Sequence, residues 1–559
     1  MALQYNGTHI PIAKSIRKLN QILLLDRKDL IFVYMLAIFA GVVQLSLPLG
    51  IQSIISFVMA GSISTSIVVL IVMVVFGVFI NGLLQVRQLQ IIEKVKQKLF
   101  LRYSLEYADC LPQLNIEKLD KEYLPEMVNR YFDAVSLQKG LDKLVIYLPA
   151  SVIQVLLGLI LLAFYHPVFI GFGLLLLTAV VLIIRFTSPQ GLSTAMLAST
   201  YKYGVAAWLQ EIARTVKTFK YTKGTSLHVK KTDGLVSNYL EASTKHFRIL
   251  LTQFWSLISF KVLITAAMLI IGSYLLVSQQ INVGQFIAAD IVIIAIIGSI
   301  EKIIINLDTV FEALVSIEKL STITEAEKEQ GGNLMLEDKN EGLSLELQDI
   351  IFAYGNEKPV LNNITLRIEK GQMVQLSGVS GAGKSTVLRM FTGAFTNYEG
   401  VALIDDIPVA NYNIESLRHH TGLLLGSQDI FYGTIKENLT MGNNAISIQQ
   451  VAELAAITGL DKFIQNCKQG YDTVLLPTGN KLSETTRKNI LLLRALLGGY
   501  RLLLLEEPFD HLEFPYKELT INYVKKNKVA TALIASKDPD LKDYCDNYFV
   551  LSGNGQITS

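Results

Sequence analysis

Cysteine is scarce in this chain of 559 residues, which contains only Cys110, Cys467 and Cys545. These three lie far apart and fit no metal-ligand spacing, so a disulfide framework and a cysteine-based metal site are excluded. Charged residues make up only 18%, and the formal net charge of +2 gives no basis for nucleic-acid binding. Hydrophobic residues reach 51%, more than a wholly soluble protein carries. We therefore expect a membrane protein exposed to a reducing compartment.

Long uncharged runs occupy the chain up to about residue 315. A hydrocarbon core about 30 Å thick requires roughly 20 apolar helical residues, because lipid-exposed backbone must be hydrogen-bonded within its own helix. Six segments are long enough: 30–55, 65–86, 145–165, 167–184, 250–277 and 284–306. The sequence therefore predicts six transmembrane helices in a lipid bilayer.

Lysine and arginine are distributed unevenly around these spans. The turns near 56–64, 165–167 and 278–283 contain none, whereas three other stretches are rich in them: 1–28, 87–143 and 185–248. The positive-inside bias predicts that both termini and both long stretches are cytoplasmic. Helical periodicity in the two long stretches indicates that membrane helices continue well into the cytosol.

Four charged residues lie within the last two predicted spans: Lys261, Asp290, Glu301 and Lys302. Burying such groups in lipid is costly, so they usually face a cavity or a partner. Lys261 and Glu301 fall at similar depth, and we expect that they pair or line a polar path. The alternative is that both helices extend past the bilayer and place these groups near its inner surface.

The fold class expected from this pattern is a multidomain membrane protein, with an α-helical six-span transmembrane domain followed by an α/β domain. Residues 321–343 are polar and are interpreted as a linker, and mixed α/β composition follows. The expected divisions are an N-terminal segment, a transmembrane domain, the linker and the α/β domain, at 1–28, 29–320, 321–343 and 344–559.

A phosphate-binding loop of the pattern GxxxxGK[ST] lies between a buried strand pattern and a helical pattern. Its glycines allow backbone N–H groups to surround a phosphate, and the following helix directs its positive end at the anion. Lys384 can reach the β- and γ-phosphates, and the Ser385 hydroxyl can bind Mg²⁺. We expect ATP and Mg²⁺ to bind at Gly378, Val379, Ser380, Gly381, Ala382, Gly383, Lys384, Ser385 and Thr386.

Further motifs surround the loop in a characteristic order: Ile351-Phe-Ala-Tyr354, Leu424-Leu-Gly-Ser-Gln428, Leu482-Ser-Glu-Thr-Thr486, Arg501-Leu-Leu-Leu-Leu-Glu506-Glu507 and Leu533-Ile-Ala-Ser-Lys537. With six upstream spans, nearly the whole chain resembles an ABC exporter half-transporter, which works as a dimer. The resemblance implies that residues 344–559 form an α/β P-loop ATP-binding cassette, the nucleotide-binding domain. The resemblance implies integral location in a bacterial inner (plasma) membrane.

The resemblance also implies roles for these residues. Tyr354 would stack on adenine, and Gln428 would contact Mg²⁺ and the attacking water. Glu506 would hold the metal through water, and Glu507 would polarise the attacking water. The alternatives are a sheet-face tyrosine, a surface glutamine and a surface acidic pair.

Three motifs depart from the family pattern. Of the signature LSGGQ only Leu482 and Ser483 remain, and Glu484 brings a carboxylate where a glycine helps to bind the nucleotide of the partner chain. Glu506 is one methylene longer than the usual Asp, so its carboxylate is expected to crowd or displace the metal. Lys537 stands where the family has a histidine that orders the attacking water, the γ-phosphate and the catalytic Glu. A lysine can hold the γ-phosphate by its charge, but it only donates hydrogen bonds and so does not reproduce that ordering. An exposed, solvated lysine is the alternative.

Two functions follow from this pattern. The first is an ATP-driven exporter subunit for a peptide, protein or lipid-like substrate, with slow hydrolysis or an active partner chain in a homodimer or heterodimer. The second is a catalytically weak or inactive ATP-binding subunit that regulates or scaffolds a secretion complex, with secretion accessory proteins as partners. A membrane receptor with an accidental phosphate loop is a third reading. Substrate identity is not encoded in any motif.

Overall fold

The computed structural model describes residues 12–61, 65–115, 117, 124–224, 226–355, 357–526 and 530–558. Part of the predicted N-terminal segment (1–11) and the end of the turn near 56–64 lie outside the described residues. The chain divides into two compact units. The first comprises Met1–Pro112 and Tyr123–Ala326, and the second comprises Gln113–Glu122 and Glu327–Ser559.

The described part of the first unit is helical. Its α-helices are α1 (Ile12–Leu24), α2 (Arg27–Gln44), α3 (Ser46–Met59), α4 (Thr65–Cys110), α5 (Leu124–Asn129), α6 (Asp133–Asp142), α7 (Leu148–Tyr165), α8 (Val168–Arg214), α9 (Val216–Tyr221), α10 (Leu227–Val277), α11 (Val283–Ile305) and α12 (Leu307–Thr324). Six helical stretches within the described residues are long and apolar enough to cross a membrane, which confirms the predicted number of spans.

Three helices extend far beyond the thickness of a bilayer. α4 has 46 residues, α8 has 47 and α10 has 51. At 1.5 Å per residue each is about 70 Å long, against roughly 30 Å of hydrocarbon. Most described residues of the two stretches predicted to continue as helices, 87–143 and 185–248, are thus helical, with breaks that include 114–115 and 222–224.

The first span is interrupted, whereas the sequence predicts one continuous segment. α2 ends at Gln44 and α3 begins at Ser46. Pro48 lies in the first turn of α3 and has no N–H to donate to a preceding carbonyl. The hydrogen-bond ladder of α2 therefore cannot continue unbroken across this position.

Close helix packing forms the core of the first unit. The buried cluster around Val155, Ile264 and Ile296 joins α7, α10 and α11. At Gly158 a Cβ atom would lie 2.8 Å from Ile296 Cγ1, so the small residue allows α7 and α11 to approach. Protein interiors are closely packed, so an added side-chain atom at this position has little room.

Lys261 and Glu301 meet on neighbouring helices. Lys261 Nζ lies 3.3 Å from Glu301 Oε2, which confirms the pairing expected from their similar depth. Half of the Lys261 side chain is exposed on the surface of the single chain. Because such groups are costly in lipid, we expect this face to contact a second chain or water.

The second unit contains two main β-sheets. Its strands are β1 (Leu345–Phe352), β2 (Leu361–Ile368), β3 (Met373–Gly378), β4 (Glu399–Ile404), β5 (Ile407–Pro408), β6 (Thr421–Leu424), β7 (Gly433–Thr434), β8 (Val474–Leu475), β9 (Leu502–Glu506), β10 (Thr531–Ala535), β11 (Asn547–Leu551) and β12 (Ile557–Thr558). One sheet is antiparallel in the order β2-β1-β4-β5, and the larger follows the order β12-β11-β3-β10-β9-β6.

The larger sheet positions the candidate site. β11, β3, β10, β9 and β6 run parallel, so their carboxyl ends meet at one edge, where α/β proteins bind ligands. The helices of this unit are α13 (Lys384–Met390), α14 (Ile414–His419), α15 (Ile435–Thr440), α16 (Ile448–Thr458), α17 (Asp461–Asn466), α18 (Glu484–Leu496) and α19 (Tyr516–Lys526). Buried strands such as β9 and β10 explain the continuous apolar runs in the sequence.

The stretch expected to be a linker is partly structured. Its first residues complete α12, which ends at Thr324. Within the second unit, Arg418 donates to both carboxylate oxygens of Glu329 at 2.6 and 2.9 Å. The polar segment from Glu327 onward is therefore attached to the second unit by specific side-chain contacts.

Candidate nucleotide-binding site

The phosphate-binding loop connects β3 to α13 at the carboxyl edge of the larger sheet. Gly383 precedes α13 and has a left-handed conformation, with φ of 100°. Lys384 Nζ donates to the carbonyls of Gly378 and Val379 at 2.9 and 3.1 Å, so it lies across its own loop. Burial lowers the pKa of Lys384, although the nearby carboxylate of Glu507 favours its charged form. A phosphate anion would stabilise that charge further.

Glycine is required at two positions of this loop. Gly378 has φ of 148°, and a Cβ atom there would lie 2.3 Å from the carbonyl oxygen of Leu551. At Gly383 a Cβ atom would lie 2.8 Å from Leu361 Cδ2. The close approach of β11 therefore restricts Gly378, the Leu361 side chain of β2 restricts Gly383, and the positive φ angles restrict both.

Glu506 contacts the proposed metal ligand directly. The Ser385 hydroxyl donates to Glu506 Oε1, and the backbone N–H of Gly426 donates to Glu506 Oε2 at 2.9 Å. Glu506 is the last residue of β9, and Ser385 is in the first turn of α13. The longer side chain thus reaches the hydroxyl that the sequence assigns to Mg²⁺.

Glu507 follows at the end of the same strand in an unusual backbone conformation. Its φ is 42°, which is uncommon for a residue with a side chain. Its N–H donates to Ala535 O at 2.8 Å, and its carboxylate accepts from the backbone N–H of Lys537 at 3.2 Å. Burial, assisted by Asp510, raises the pKa of Glu507. Such strain is often found at functional sites.

The Lys537 side chain is exposed and lines a cavity of about 500 Å³ beside the phosphate loop. The opposite wall includes Gly378, Val379 and Ser380. The backbone of Lys537, rather than its side chain, contacts Glu507. The side chain therefore has access to the space next to the loop, as a charge and hydrogen-bond donor.

Tyr354 lies two residues after the end of β1 and contacts the helix that follows the phosphate-binding loop. Its hydroxyl is 3.1 Å from Thr386 Oγ1, and its ring packs edge-on to Phe352 with centroids 4.9 Å apart. Phe395 also contacts it. The ring is partly buried in this aromatic group, so adenine stacking by Tyr354 stays a prediction.

Gln428 is turned toward its own loop. Its Oε1 accepts from the backbone N–H of Leu425 at 3.3 Å, and its own N–H donates to Leu425 O at 3.1 Å. A contact with metal requires the side chain to release the Leu425 N–H. The predicted contact of Gln428 with Mg²⁺ stays a prediction.

The altered signature lies at the start of α18. Ser483 caps this helix by accepting from Thr486 N at 3.1 Å, and Leu482 packs against the core. Glu484 is exposed and lies 3.3 Å from Lys488, one turn along the helix. A carboxylate in the first turn suits the helix dipole but weakens this end as an anion site. Ser483 and Leu482 are therefore placed by the helix itself.

The donor groups near Ser385 fit a magnesium ion chemically, because hydroxyl, amide and carboxylate oxygens are the ligands that this hard cation prefers. Ser385 and Glu506 are in contact, and Gln428 is three residues beyond Leu425 on the loop after β6. Bound Mg²⁺ would neutralise charge on the phosphates.

Two contributions to this site were not foreseen from the sequence. The Gly426 N–H holds Glu506, and Asp510 acts electrostatically on Glu507. Backbone donors have no sequence signature, so only the fold identifies the role of Gly426. Asp510 carried a signal, since it lies only three residues after Glu507 in the chain.

Comparison with protein families gives two matches in consecutive order. Residues 30–300 match the ABC transporter transmembrane region, and residues 361–510 match the ABC transporter domain. The second match includes the phosphate-binding loop, Gln428, the altered signature and both strand-end carboxylates, but ends before Lys537.

Several curated proteins are similar in sequence. The alpha-hemolysin translocation ATP-binding protein HlyB of Escherichia coli O157:H7 is 26% identical over 361 residues, which cover 63% of this chain and 50% of the relative. The mesentericin transport/processing ATP-binding protein MesD of Leuconostoc mesenteroides is 24% identical over 549 residues, covering 95% of this chain and 74% of the relative. The β-(1→2)glucan export ATP-binding/permease protein NdvA of Rhizobium etli is 27% identical over 350 residues, covering 57% and 58%.

The chain spans about half the length of HlyB and NdvA. The solved structure of a bacterial Atm1-family ABC exporter with ATP bound has the same fold, with a TM-score of 0.86, 18% identity and coverage of 95% of this chain and 94% of that chain. Because both family models match in order and together span most of the chain, it is an integral membrane protein of the ABC transporter family with the architecture of a half-transporter.

Proposed function

We propose that this chain is an exporter subunit that binds ATP and Mg²⁺ and works as a dimer with slow ATP hydrolysis. The contact of Ser385 with Glu506 carries this proposal, because the phosphate-binding loop is complete while its metal ligand is held by a carboxylate. The curated relatives are named for translocation of a hemolysin, transport of mesentericin and export of a glucan. A peptide, protein, glycan or lipid-like substrate is therefore proposed.

Slow hydrolysis follows from what the residues of this site do. Glu506 accepts a hydrogen bond from the Ser385 hydroxyl, so metal binding has to replace a charge-assisted hydrogen bond. Glu507 would polarise the attacking water, and the burial that raises its pKa makes its carboxylate a stronger base. Lys537 brings a positive charge to the phosphate side but accepts no proton. Binding is thus supported more strongly than turnover.

Pairing of two chains determines how far these departures reduce activity. The proposed site combines the phosphate loop of one chain with the signature of the other. A homodimer carries the altered signature and Glu506 in both sites, whereas a heterodimer divides them between two sites. We propose location in a bacterial inner membrane with both termini cytoplasmic, since ATP must reach the loop.

The second candidate is an ATP-binding subunit that regulates or scaffolds a secretion complex. Exposure of Glu484 at the start of α18 favours it, because a carboxylate opposes the approach of a triphosphate. Under this alternative ATP binding changes the conformation of the complex, and hydrolysis is not required.

One experiment separates the two candidates. The full chain, purified in nanodiscs alone and with candidate partner half-transporters, is assayed for ATPase activity beside the variant E507Q. The exporter proposal expects low activity that E507Q removes. If no preparation exceeds E507Q, the regulatory alternative replaces it. K384A should lose ATP binding under either function, and K436A, an exposed lysine of α15, serves as the control.

A further inference from the structure

A polar cavity of about 320 Å³ opens within the first unit. Four helices line it, namely α6, α8, α10 and α12. The lining residues lie at 133–136, 195–202, 239–250 and 308–316, at or beyond the ends of the predicted spans. Their charges are therefore in the helical extensions, which we place in the cytosol, and not in lipid.

The charges of the cavity are predominantly negative. Its lining includes the carboxylates of Asp133, Asp308 and Glu312, against one lysine, Lys202, and one histidine, His246. His246 Nε2 lies 2.9 Å from Asp308 Oδ1, and Lys202 Nζ lies 3.8 Å from Asp133 Oδ1. Glu312 has no ion pair among the described residues and is exposed at the rim. The cavity therefore retains an excess of negative charge.

Two deeply buried groups in the lining have hydrogen-bonding capacity left over. Asp133 is only 3% exposed and Ser199 only 9%. Within the described part of the chain, neither Asp133 Oδ2 nor Ser199 Oγ has a hydrogen-bond partner. Buried polar atoms are nearly always paired in folded proteins, so unpaired atoms in a cavity lining indicate a ligand that supplies donors.

The positive groups nearby do not satisfy these atoms. Lys319 Nζ donates to Thr200 Oγ1 at 2.9 Å, and Arg130 pairs with Glu126 at 3.3 Å. Neither Lys319 nor Arg130 lines the cavity. Lys202 Nζ lies near Asp133 Oδ1, and the Tyr203 hydroxyl donates a hydrogen bond to the Asp133 carboxylate. The other carboxylate oxygen faces no donor from the described residues.

We propose that this cavity binds an aliphatic ammonium group of the transported substrate. An ammonium has three donors and no acceptor, which matches a floor of acceptor oxygens and a rim carboxylate. The volume is near the lower limit of ligand pockets and suits a group as large as a lysine side chain, not a whole peptide. The role as a substrate site rests on the proposed export function, whereas binding itself does not.

The test uses the full chain in phosphatidylcholine nanodiscs without nucleotide, because zwitterionic lipid does not attract cations. Isothermal titration calorimetry measures binding of spermidine and of a trilysine peptide, with empty nanodiscs as the blank. We expect saturable binding of at least one, and loss of peptide binding when its lysine ε-amines are acetylated. Binding of spermidine alone identifies a polyamine as the source of the ammonium, and binding of the peptide identifies a basic peptide.

Matched variants locate the site. E312Q removes the unpaired rim carboxylate and should weaken binding about tenfold, as expected for one charged hydrogen bond. E241Q is the control, since Glu241 is exposed on α10, pairs with Lys245 and does not line the cavity. D133N tests the floor and should weaken binding at least as much. ATP binding and elution volume on size-exclusion chromatography verify that each variant is folded.

The proposal fails if neither amine binds saturably, or if E241Q weakens binding as much as E312Q does, which indicates attraction to the surface as a whole. It also fails if acetylated and free peptides bind equally. Amine binding by a protein that does not hydrolyse ATP supports the cavity while contradicting export. Hydrolysis without amine binding supports export and contradicts the cavity.

Discussion

Single residues determine the contacts within the candidate nucleotide site. The side chain of Glu506 is long enough to bring its carboxylate onto the Ser385 hydroxyl. The sequence indicated the expected crowding of the metal. It did not indicate that Gly426 would hold the other carboxylate oxygen, since a backbone donor depends on the path of the loop after β6.

Shortening Glu506 should release the metal ligand. In E506D the carboxylate no longer reaches the Ser385 hydroxyl, so the concentration of Mn²⁺ that half-saturates the ATP complex should fall about tenfold, as expected for one charge-assisted hydrogen bond. Electron paramagnetic resonance of bound Mn²⁺ measures this change. The control E513D makes the same exchange at Glu513, an exposed residue seven positions further along the chain, and should have no effect. An unchanged Mn²⁺ affinity in E506D contradicts competition between Glu506 and the metal ion for the Ser385 hydroxyl.

Gly378 and Gly381 offer a matched comparison in the phosphate-binding loop. G378A places a Cβ atom 2.3 Å from the Leu551 carbonyl, whereas the same exchange at Gly381 meets nothing within 4 Å. G378A should destabilise the protein by about 2–4 kcal/mol and G381A, which has φ of 82°, by about 1 kcal/mol. Thermal unfolding of the full chain, followed by intrinsic fluorescence, measures both. Equal losses of stability in G378A and G381A would show that the close approach of Leu551 does not determine the cost of G378A.

At the scale of elements, the long helices were more predictable than their interruptions. Apolar runs indicated six spans, and helical periodicity indicated that α8 and α10 continue beyond them. The break at Leu45 was missed, because one proline in the first turn of α3 is compatible with a helix that simply starts there. The similar depth of Lys261 and Glu301 in their spans was predictable from the sequence. Whether their side chains touch depends on how α10 and α11 are rotated about their axes.

The start of α18 tests how the altered signature limits activity. E484G combined with T485G restores two glycines and removes a carboxylate, while Ser483 still caps the helix through Thr486. ATPase activity of the purified chain should rise severalfold, although two exposed glycines cost the helix roughly 1 kcal/mol each. Activity is measured by phosphate release, with E484A/T485A as the control that removes the charge without allowing closer approach.

The control distinguishes two causes. If alanines raise activity as much as glycines, charge alone limits the site. If neither pair changes activity, the signature is not limiting, and Glu506 or Lys537 is the principal departure.

At the scale of the whole molecule, motif order and apolar patterning predicted a six-span membrane domain followed by an ATP-binding cassette. The 320 Å³ cavity was not predictable, since its lining residues come from four distant helices and have no common motif. The candidate nucleotide site was predictable from the sequence because its residues fall in short motifs at the ends of strands. Substrate and pairing depend on surfaces that no local pattern records.

The central claim is that the chain holds ATP and hydrolyses it slowly. The most direct measurement incubates the purified full chain with radiolabelled ATP and Mg²⁺, removes free nucleotide, and determines whether the bound nucleotide is ATP or ADP over time. We predict that the bound nucleotide remains mostly ATP over many minutes and that K384A binds no nucleotide. Absence of bound nucleotide in the wild-type chain, or conversion to ADP at the 1–10³ s⁻¹ range (about that of ordinary enzymes), would contradict it.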